Sequence, residues 1–316
     1  MPRKKSPQVL KACWSETYAR LGERVTLNAS TVNAIHKMLK FQVYEYRRKS
    51  KILKEIAVPI YRPEVSAKWN INFKPEVAEY GNPEFRFKAI IEKSSRTSKT
   101  LYVPADLEIA LTFDDGPAPR ENPKTERILN ILKRSNIKAT FFVEHKNTLD
   151  KYRQAILVRM KKDSHEIGVH GVDPKNHHLP HQDTLKFEGK LKVMRELIKN
   201  VVGSHPMFIR PPFGWGGWKK GKVWNKTQLS SFYQKFNMIR VNGWEAEIGR
   251  SDFWKNIDRK IKAAALGNKQ KLIILSHDLR DFDSEHLAMI VKEIRDRSNK
   301  IKVKVKYVTI KELLGK

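Results

Sequence analysis

Two adjacent carboxylates, Asp114 and Asp115, stand in the run Thr112-Phe113-Asp114-Asp115-Gly116-Pro117, where an apolar stretch meets a Gly-Pro turn. Such a pair can aim one carboxylate at a metal and the other at a water. Histidines follow at 170, 177, 178 and 181, then Arg210-Pro211-Pro212-Phe213-Gly214, and late in the chain Leu275-Ser276-His277-Asp278. Each has an ordinary reading when taken singly: an exposed turn, a solvated histidine-rich loop, a surface arginine, a hydrogen-bonded histidine. What they share is position, because all fall at the carboxyl ends of successive predicted strands. One Asp with two His is a set that holds a catalytic divalent cation and leaves positions open for water and substrate.

The elements that must position these residues are read from hydrophobic periodicity. Strand-like runs are predicted near 108–113, 139–143, 166–170, 206–210, 238–242, 271–276 and 303–309. Helical spacing falls between them, near 124–135 (Ile128, Leu129, Leu132), 151–162, 184–200, 227–235, 253–265 and 284–298. Strands alternating with helices, with no glycine-rich dinucleotide loop, predict an α/β fold of the distorted (β/α)7 barrel type over residues 106–316. In such barrels chemistry sits at the carboxyl ends of the strands, which is where the candidates lie.

Residues 1–105 follow a different rhythm. Val32, Ile35, Leu39 and Val43 step by three or four and predict a helix, whereas Trp69–Phe73 and Phe85–Ile90 alternate like strands. The polar patch 93–99 reads as a hairpin turn or linker. An additional N-terminal α+β region, 1–105, is therefore expected ahead of the barrel.

The 316 residues carry 63 Lys+Arg against 34 Asp+Glu, a formal net charge of +29, and one cysteine. With only Cys13, an intramolecular disulfide and a thiolate zinc cluster are both excluded, so any metal falls to His and carboxylate. The positive excess attracts polyanions: nucleic acid, an anionic membrane, or acidic wall polymer. It is densest in the first 105 residues, with 21 basic against 9 acidic. No apolar run of about 18 residues and no signal-like apolar segment occurs, so the chain is expected to lack a transmembrane segment and a secretory signal.

Thr-Phe-Asp-Asp-Gly-Pro, the histidine cluster, Arg-Pro-Pro-Phe and the late Leu-Ser-His resemble, in order, the motifs of the NodB-homology polysaccharide deacetylases, carbohydrate esterase family 4. The resemblance covers about residues 106–316. It implies Asp114 as general base, oriented by Arg210, and Asp115 as a metal ligand with His170 and one further histidine. It also implies His277 as the acid that protonates the leaving amine, and Pro211, Pro212 and Phe213 as a groove wall, with the Phe213 N–H facing the oxyanion. Two departures stand out. Position 174, where the second metal histidine is expected, is Pro, so the ligand is looked for in His177, with His178 the alternative and His181 third. The carboxylate that the family pairs with the acid is matched by Glu247 or Asp252, either of which would keep His277 protonated near neutral pH. Trp215, Trp218 and Trp224 offer rings for stacking on sugar.

The resemblance implies a metal-dependent N-deacetylase, with Zn²⁺ or another divalent ion as cofactor. The substrate would be an N-acetylated polysaccharide, peptidoglycan first and chitin-like or exopolysaccharide chains second. A polyanion- or nucleic-acid-binding protein on the same scaffold, or a secretion-system or phage effector acting on wall glycan, are the alternatives. Residues 1–105 would then serve docking, delivery or substrate binding. The chain would act in the cytoplasm or be exported by a signal-independent route.

Overall fold

A computed structural model of the chain describes residues 5–46, 52–72, 82–175, 180, 182–214, 226–241 and 243–316. It divides into two compact units. The first comprises Met1–Leu107 with Arg259–Gln270 and Asp296–Lys304; the second comprises Glu108–Asp258, Lys271–Arg295 and Val305–Lys316.

In the first unit the chain runs through β1 (Gln8–Trp14), β2 (Arg24–Val32), β3 (Met38–Glu45), β4 (Ile52–Pro59), β5 (Glu64–Asn70), β6 (Glu84–Ile91), β7 (Ser94–Thr97) and β8 (Leu101–Tyr102). One sheet has the order β1-β2-β5; the other is β4-β3-β6-β7, with β8 beside β6. All these pairings are antiparallel. Strict alternation in β2 and β5 turns Val25, Leu27, Val65 and Trp69 inward, into one core with Leu39, Phe41, Val43, Phe85 and Phe87. Trp14 meets Phe87 edge-on at 4.8 Å, and Trp69 meets Phe85 at 5.1 Å.

The helix expected over 32–43 is not formed. Val32 and Ile35 are exposed, whereas Leu39, Phe41 and Val43 are all fully buried, which is a period of two rather than of three and a half. Between the two groups the backbone turns through left-handed conformations at Asn33 and His36, ending β2 and starting β3. Among its described residues the N-terminal region thus consists of strands and turns, and the helical part of the α+β expectation is replaced. The 93–99 patch forms the return strand β7 of a hairpin with β6.

The second unit contains β9 (Leu107–Asp114), α1 (Lys124–Arg134), β10 (Thr140–Glu144), α2 (Lys151–Lys162), β11 (Glu166–Gly171), α3 (Thr184–Val202), β12 (Phe208–Ile209) and α4 (Lys226–Gln234). It continues with β13 (Ile239–Arg240), β14 (Ala246–Glu247), α5 (Phe253–Ala265), β15 (Gln270–His277), α6 (Asp281–Lys300), β16 (Val305–Tyr307) and α7 (Ile310–Leu313). The strands form one eight-stranded sheet in the order β13-β12-β11-β10-β9-β15-β14, with β16 also on β9. β9 through β13 pair in parallel, as do β14 and β15. This is the distorted (β/α)7-type barrel expected from the sequence. β10 is buried at every position and β9 at all but one, as parallel strands covered on both faces must be. Helix α1 buries Ile128, Leu129 and Leu132, the residues whose spacing announces it.

One buried histidine away from the candidate site has a measurable consequence. His165, just before β11, accepts the Ala139 N–H at Nδ1 (3.1 Å) and lies edge-on to Phe141. Burial, reinforced by Lys138, pushes its pKa down to about 4. The unfolded chain therefore binds a proton there that the folded chain refuses. Stability is fully present above pH 6.5 and falls as the pH drops toward 4, by up to about 1.4 kcal/mol per pH unit. His165→Asn keeps an acceptor at the Nδ1 position. Melting curves between pH 4 and 7.5 should show a shallower acid slope for the variant than for the unmutated protein.

Candidate active site

β9 ends at Asp114, and successive residues of a strand face opposite ways. Asp115 leaves the extended conformation at φ 79°, a left-handed value that a non-glycine residue adopts at a cost, and its carboxylate is thereby returned toward the site. The Gly116-Pro117 peptide bond, one residue further on, is cis. The turn is packed closely from behind. A Cβ on Gly116 would overlap the carboxylate of Asp278, which is buried and accepts the Thr125 hydroxyl at 2.8 Å. Burial, with Asp115 and Asp114 adding, pushes the Asp278 pKa up to about 8 against the Thr125 hydrogen bond. Gly116→Ala should therefore destabilise the fold by about 1–3 kcal/mol, read as a lowered midpoint in urea.

Asp114 is buried, and its Oδ1 accepts from Arg210 Nη1 at 2.9 Å. The same nitrogen donates to Thr112 Oγ1 at 2.8 Å, and the Thr112 hydroxyl donates to the Ile274 carbonyl across to β15. Arg210 follows β12, is 1% exposed, and lies over the Phe142 ring at 4.3 Å. A buried carboxylate is tolerated here because a buried guanidinium meets it.

Arg210 also acts through its backbone. Its carbonyl oxygen is 2.7 Å from His170 Nδ1, which fixes a proton on Nδ1 and makes Nε2 the nitrogen that takes up a second proton or a cation. That Nε2 lies 3.3 Å from Asp115 Oδ1. Glu144, the last residue of β10 and 1% exposed, completes the group: Asp115, Glu144 and His170 each offer a ligand atom, all within 4.8 Å of one another. The Asn147 amide donates to the Asp115 carbonyl at 2.6 Å and to Glu144 Oε2 at 3.3 Å. Two carboxylates and an imidazole acceptor so close repel one another unless a cation or a proton lies among them. Burial opposes charge on His170, but Asp114, Asp115 and Glu144 outweigh it and hold its pKa above the ordinary value. The donor set therefore suits a divalent cation.

His277 ends β15. Its backbone N–H and the Ser276 hydroxyl both donate to Asp283 Oδ2 at 2.6 and 2.9 Å, which ties the strand end to the first turn of α6. The Asp278 N–H donates to the Asp114 carbonyl at 3.2 Å, joining the two motifs directly. His277 does not receive the carboxylate expected for it. Glu247 is ion-paired at 3.2 Å with Arg280, whose Nη2 lies 3.4 Å from His277 Nε2, and Asp252 is exposed and accepts from Asn256. Burial lowers the His277 pKa, with Arg280 acting in the same direction; Asp114, Asp115 and Glu247 do not offset it. The expectation that Glu247 or Asp252 keeps this ring protonated near neutral pH is corrected accordingly.

Of the residues singled out from the sequence, Asp114, Asp115, His170 and Arg210 are brought into direct contact, with His277 tied to them through the backbone and Glu247 through Arg280. Pro211 and Pro212 are buried behind Arg210; Phe213 is 71% exposed at φ 61°. His177, His178, His181, Trp215, Trp218 and Trp224 lie outside the described residues. Sequence reasoning missed Glu144, Asn147, Thr112 and Arg280. Glu144 had an available signal, since it directly follows the predicted 139–143 strand and so meets the same strand-end requirement as the others.

Residues 103–230 match the polysaccharide deacetylase family. The deacetylase resemblance read from the Thr-Phe-Asp-Asp-Gly-Pro motif is thus confirmed. The chain is 37% identical over 107 residues to a peptidoglycan-N-acetylglucosamine deacetylase of Bacillus cereus, covering 34% of this chain and 36% of that protein. It is 22% identical over 309 residues to the peptidoglycan-N-acetylglucosamine deacetylase PgdA of Listeria monocytogenes, covering 97% and 58%. It is 27% identical over 201 residues to the peptidoglycan-N-acetylmuramic acid deacetylase PdaC of Bacillus subtilis, covering 61% and 37%. The chain thus spans between 36% and 58% of the length of these relatives. Against the solved structure of PdaC the identity is 25%, with 67% of this chain and 91% of that one covered and a TM-score of 0.47.

Proposed function

We propose that the protein is a metal-dependent N-deacetylase of N-acetylated glycans, with peptidoglycan as the first substrate and chitin-like or exopolysaccharide chains second. The observation that carries this reading is the buried Asp114 carboxylate, held by Arg210 directly beside the Asp115, Glu144 and His170 donor set. Asp115 and His170 would hold a divalent cation, Zn²⁺ before other divalent ions, which would supply Lewis-acid polarisation of the acetamide and a water of lowered pKa. Asp114 has Oδ1 engaged by Arg210, so Oδ2 receives the proton of the attacking water. The Phe213 N–H donates to the oxyanion as the carbonyl becomes tetrahedral. His277 in its protonated form, a minor form near neutral pH because burial lowers its pKa, gives a proton to the departing nitrogen as the C–N bond breaks, which leaves acetate and a free amine. Phe213, 71% exposed after the buried Pro211 and Pro212, forms a wall of the sugar-binding groove.

In this proposal residues 106–316 are the catalytic domain. Residues 1–105 are a basic docking module that holds the enzyme against an anionic polymer. Among the described residues no helix is long and apolar enough to cross a membrane. The +29 charge also favours a second reading, a nucleic-acid binder. One experiment separates the two. The purified protein is incubated with peptidoglycan, chitin oligomers and poly-N-acetylglucosamine, with chelator and then with Zn²⁺ restored, while acetate and free amines are measured. Release that stops with chelator and returns with Zn²⁺ is expected. No release from any glycan, together with steeply salt-dependent DNA binding, would replace the enzyme by the binder.

A further inference from the structure

We infer that Glu144 is the third protein ligand of the cation, so that this centre is built from two carboxylates and one imidazole. The inference rests on the reading above that the site takes a divalent cation. Its own support is the placement of Glu144. Nothing in a buried β10 requires a carboxylate at its last position, yet the side chain is 1% exposed and brings an oxygen within 4.8 Å of Asp115 and His170. A buried carboxylate costs several kcal/mol unless it is compensated.

The segment Glu144-His145-Lys146-Asn147 is arranged to hold it. Lys146 Nζ is 2.9 Å from Oε2, on a side chain that is itself half exposed, and Asn147 bridges Glu144 to the Asp115 backbone. Asn147 thus sets the spacing between two prospective ligands from different strands, as partners of ligands in metal centres do. His145, the adjacent histidine, is turned away, with its Nδ1 3.0 Å from the Val172 carbonyl.

A centre of this composition differs chemically from one with two imidazoles. Two carboxylates neutralise a dication, whereas one leaves it with a net positive charge. Oxygen-rich sets also favour Mn²⁺ and similar hard ions relative to Zn²⁺ more than imidazole-rich sets do.

The test is metal affinity, measured without turnover. Chelator-treated protein comprising all 316 residues is titrated with Zn²⁺ and Mn²⁺ against a chromophoric competitor, for the unmutated chain and for E144Q, N147A, H177A, H178A and H181A. E144Q should weaken Zn²⁺ binding by at least about 100-fold and N147A by about 10–100-fold, the range for losing a ligand's partner. The three histidine variants should stay within about threefold of the unmutated chain. E144Q within threefold, with a large loss in H177A or H178A, would overturn the assignment and leave the deacetylase reading intact. Failure of the unmutated chain to bind either ion would overturn both. If E144Q melts too low to titrate, X-ray absorption of the Co²⁺-loaded unmutated protein decides: one imidazole with carboxylate oxygens is expected, and two or more imidazoles would overturn it.

Discussion

With Asp114 replaced by Asn, acetate release from N-acetylglucosamine oligomers should fall about 10²–10⁴-fold while the fold and the bound metal persist. The amide occupies the volume of the carboxylate and still offers Oδ1 to Arg210 Nη1, so the buried contact at 2.9 Å survives. What it cannot do is take a proton from water. Asp114 is not among the three residues whose ligand atoms converge, so metal content should match that of the unmutated protein. The measurement is therefore kcat together with zinc stoichiometry and a melting curve. An unchanged rate at full metal occupancy would remove Asp114 from the role of base.

Arg210→Met should have the largest effect on stability. The guanidinium is 1% exposed and is the cation that meets the buried Asp114 carboxylate. Deleting one partner of such a pair strands the other, at a cost of about 3–5 kcal/mol. For a unit of this size that corresponds to a fall in Tm on the order of 10 °C. Asp114 also loses the guanidinium that orients it toward the attacking water, so activity should fall as well. The backbone carbonyl that orients His170 is untouched by the substitution. Metal affinity should consequently drop much less than activity. Equal losses in both would show that the guanidinium supports the ligands as well as the base.

The barrel was legible in the sequence because buried parallel strands leave continuous apolar runs such as Ala139–Val143, and because Ile128, Leu129 and Leu132 mark one face of α1. Asp114, Asp115, His170, Arg210 and His277 were legible for a related reason. Each is a polar residue at the point where such a run stops. The N-terminal region misled because Val32, Ile35, Leu39 and Val43 fall at helical intervals by coincidence; the burial of Phe41 between the last two distinguishes strand from helix. Glu144 passed unnoticed as one acidic residue among 34. Pairing of Arg280 with Glu247 depends on where the start of α6 comes to rest against the end of β14, 33 residues away, and no local pattern encodes that.

Arg210 is fastened to the site twice, by its side chain to Asp114 and by its carbonyl to His170. A catalytic base and a metal ligand on different strands are usually separate sources of positional error, and their mutual distance varies with the sum of both. Here Asp114 on β9 and His170 on β11 both bond to one residue after β12, so a shift of Arg210 reaches the two together.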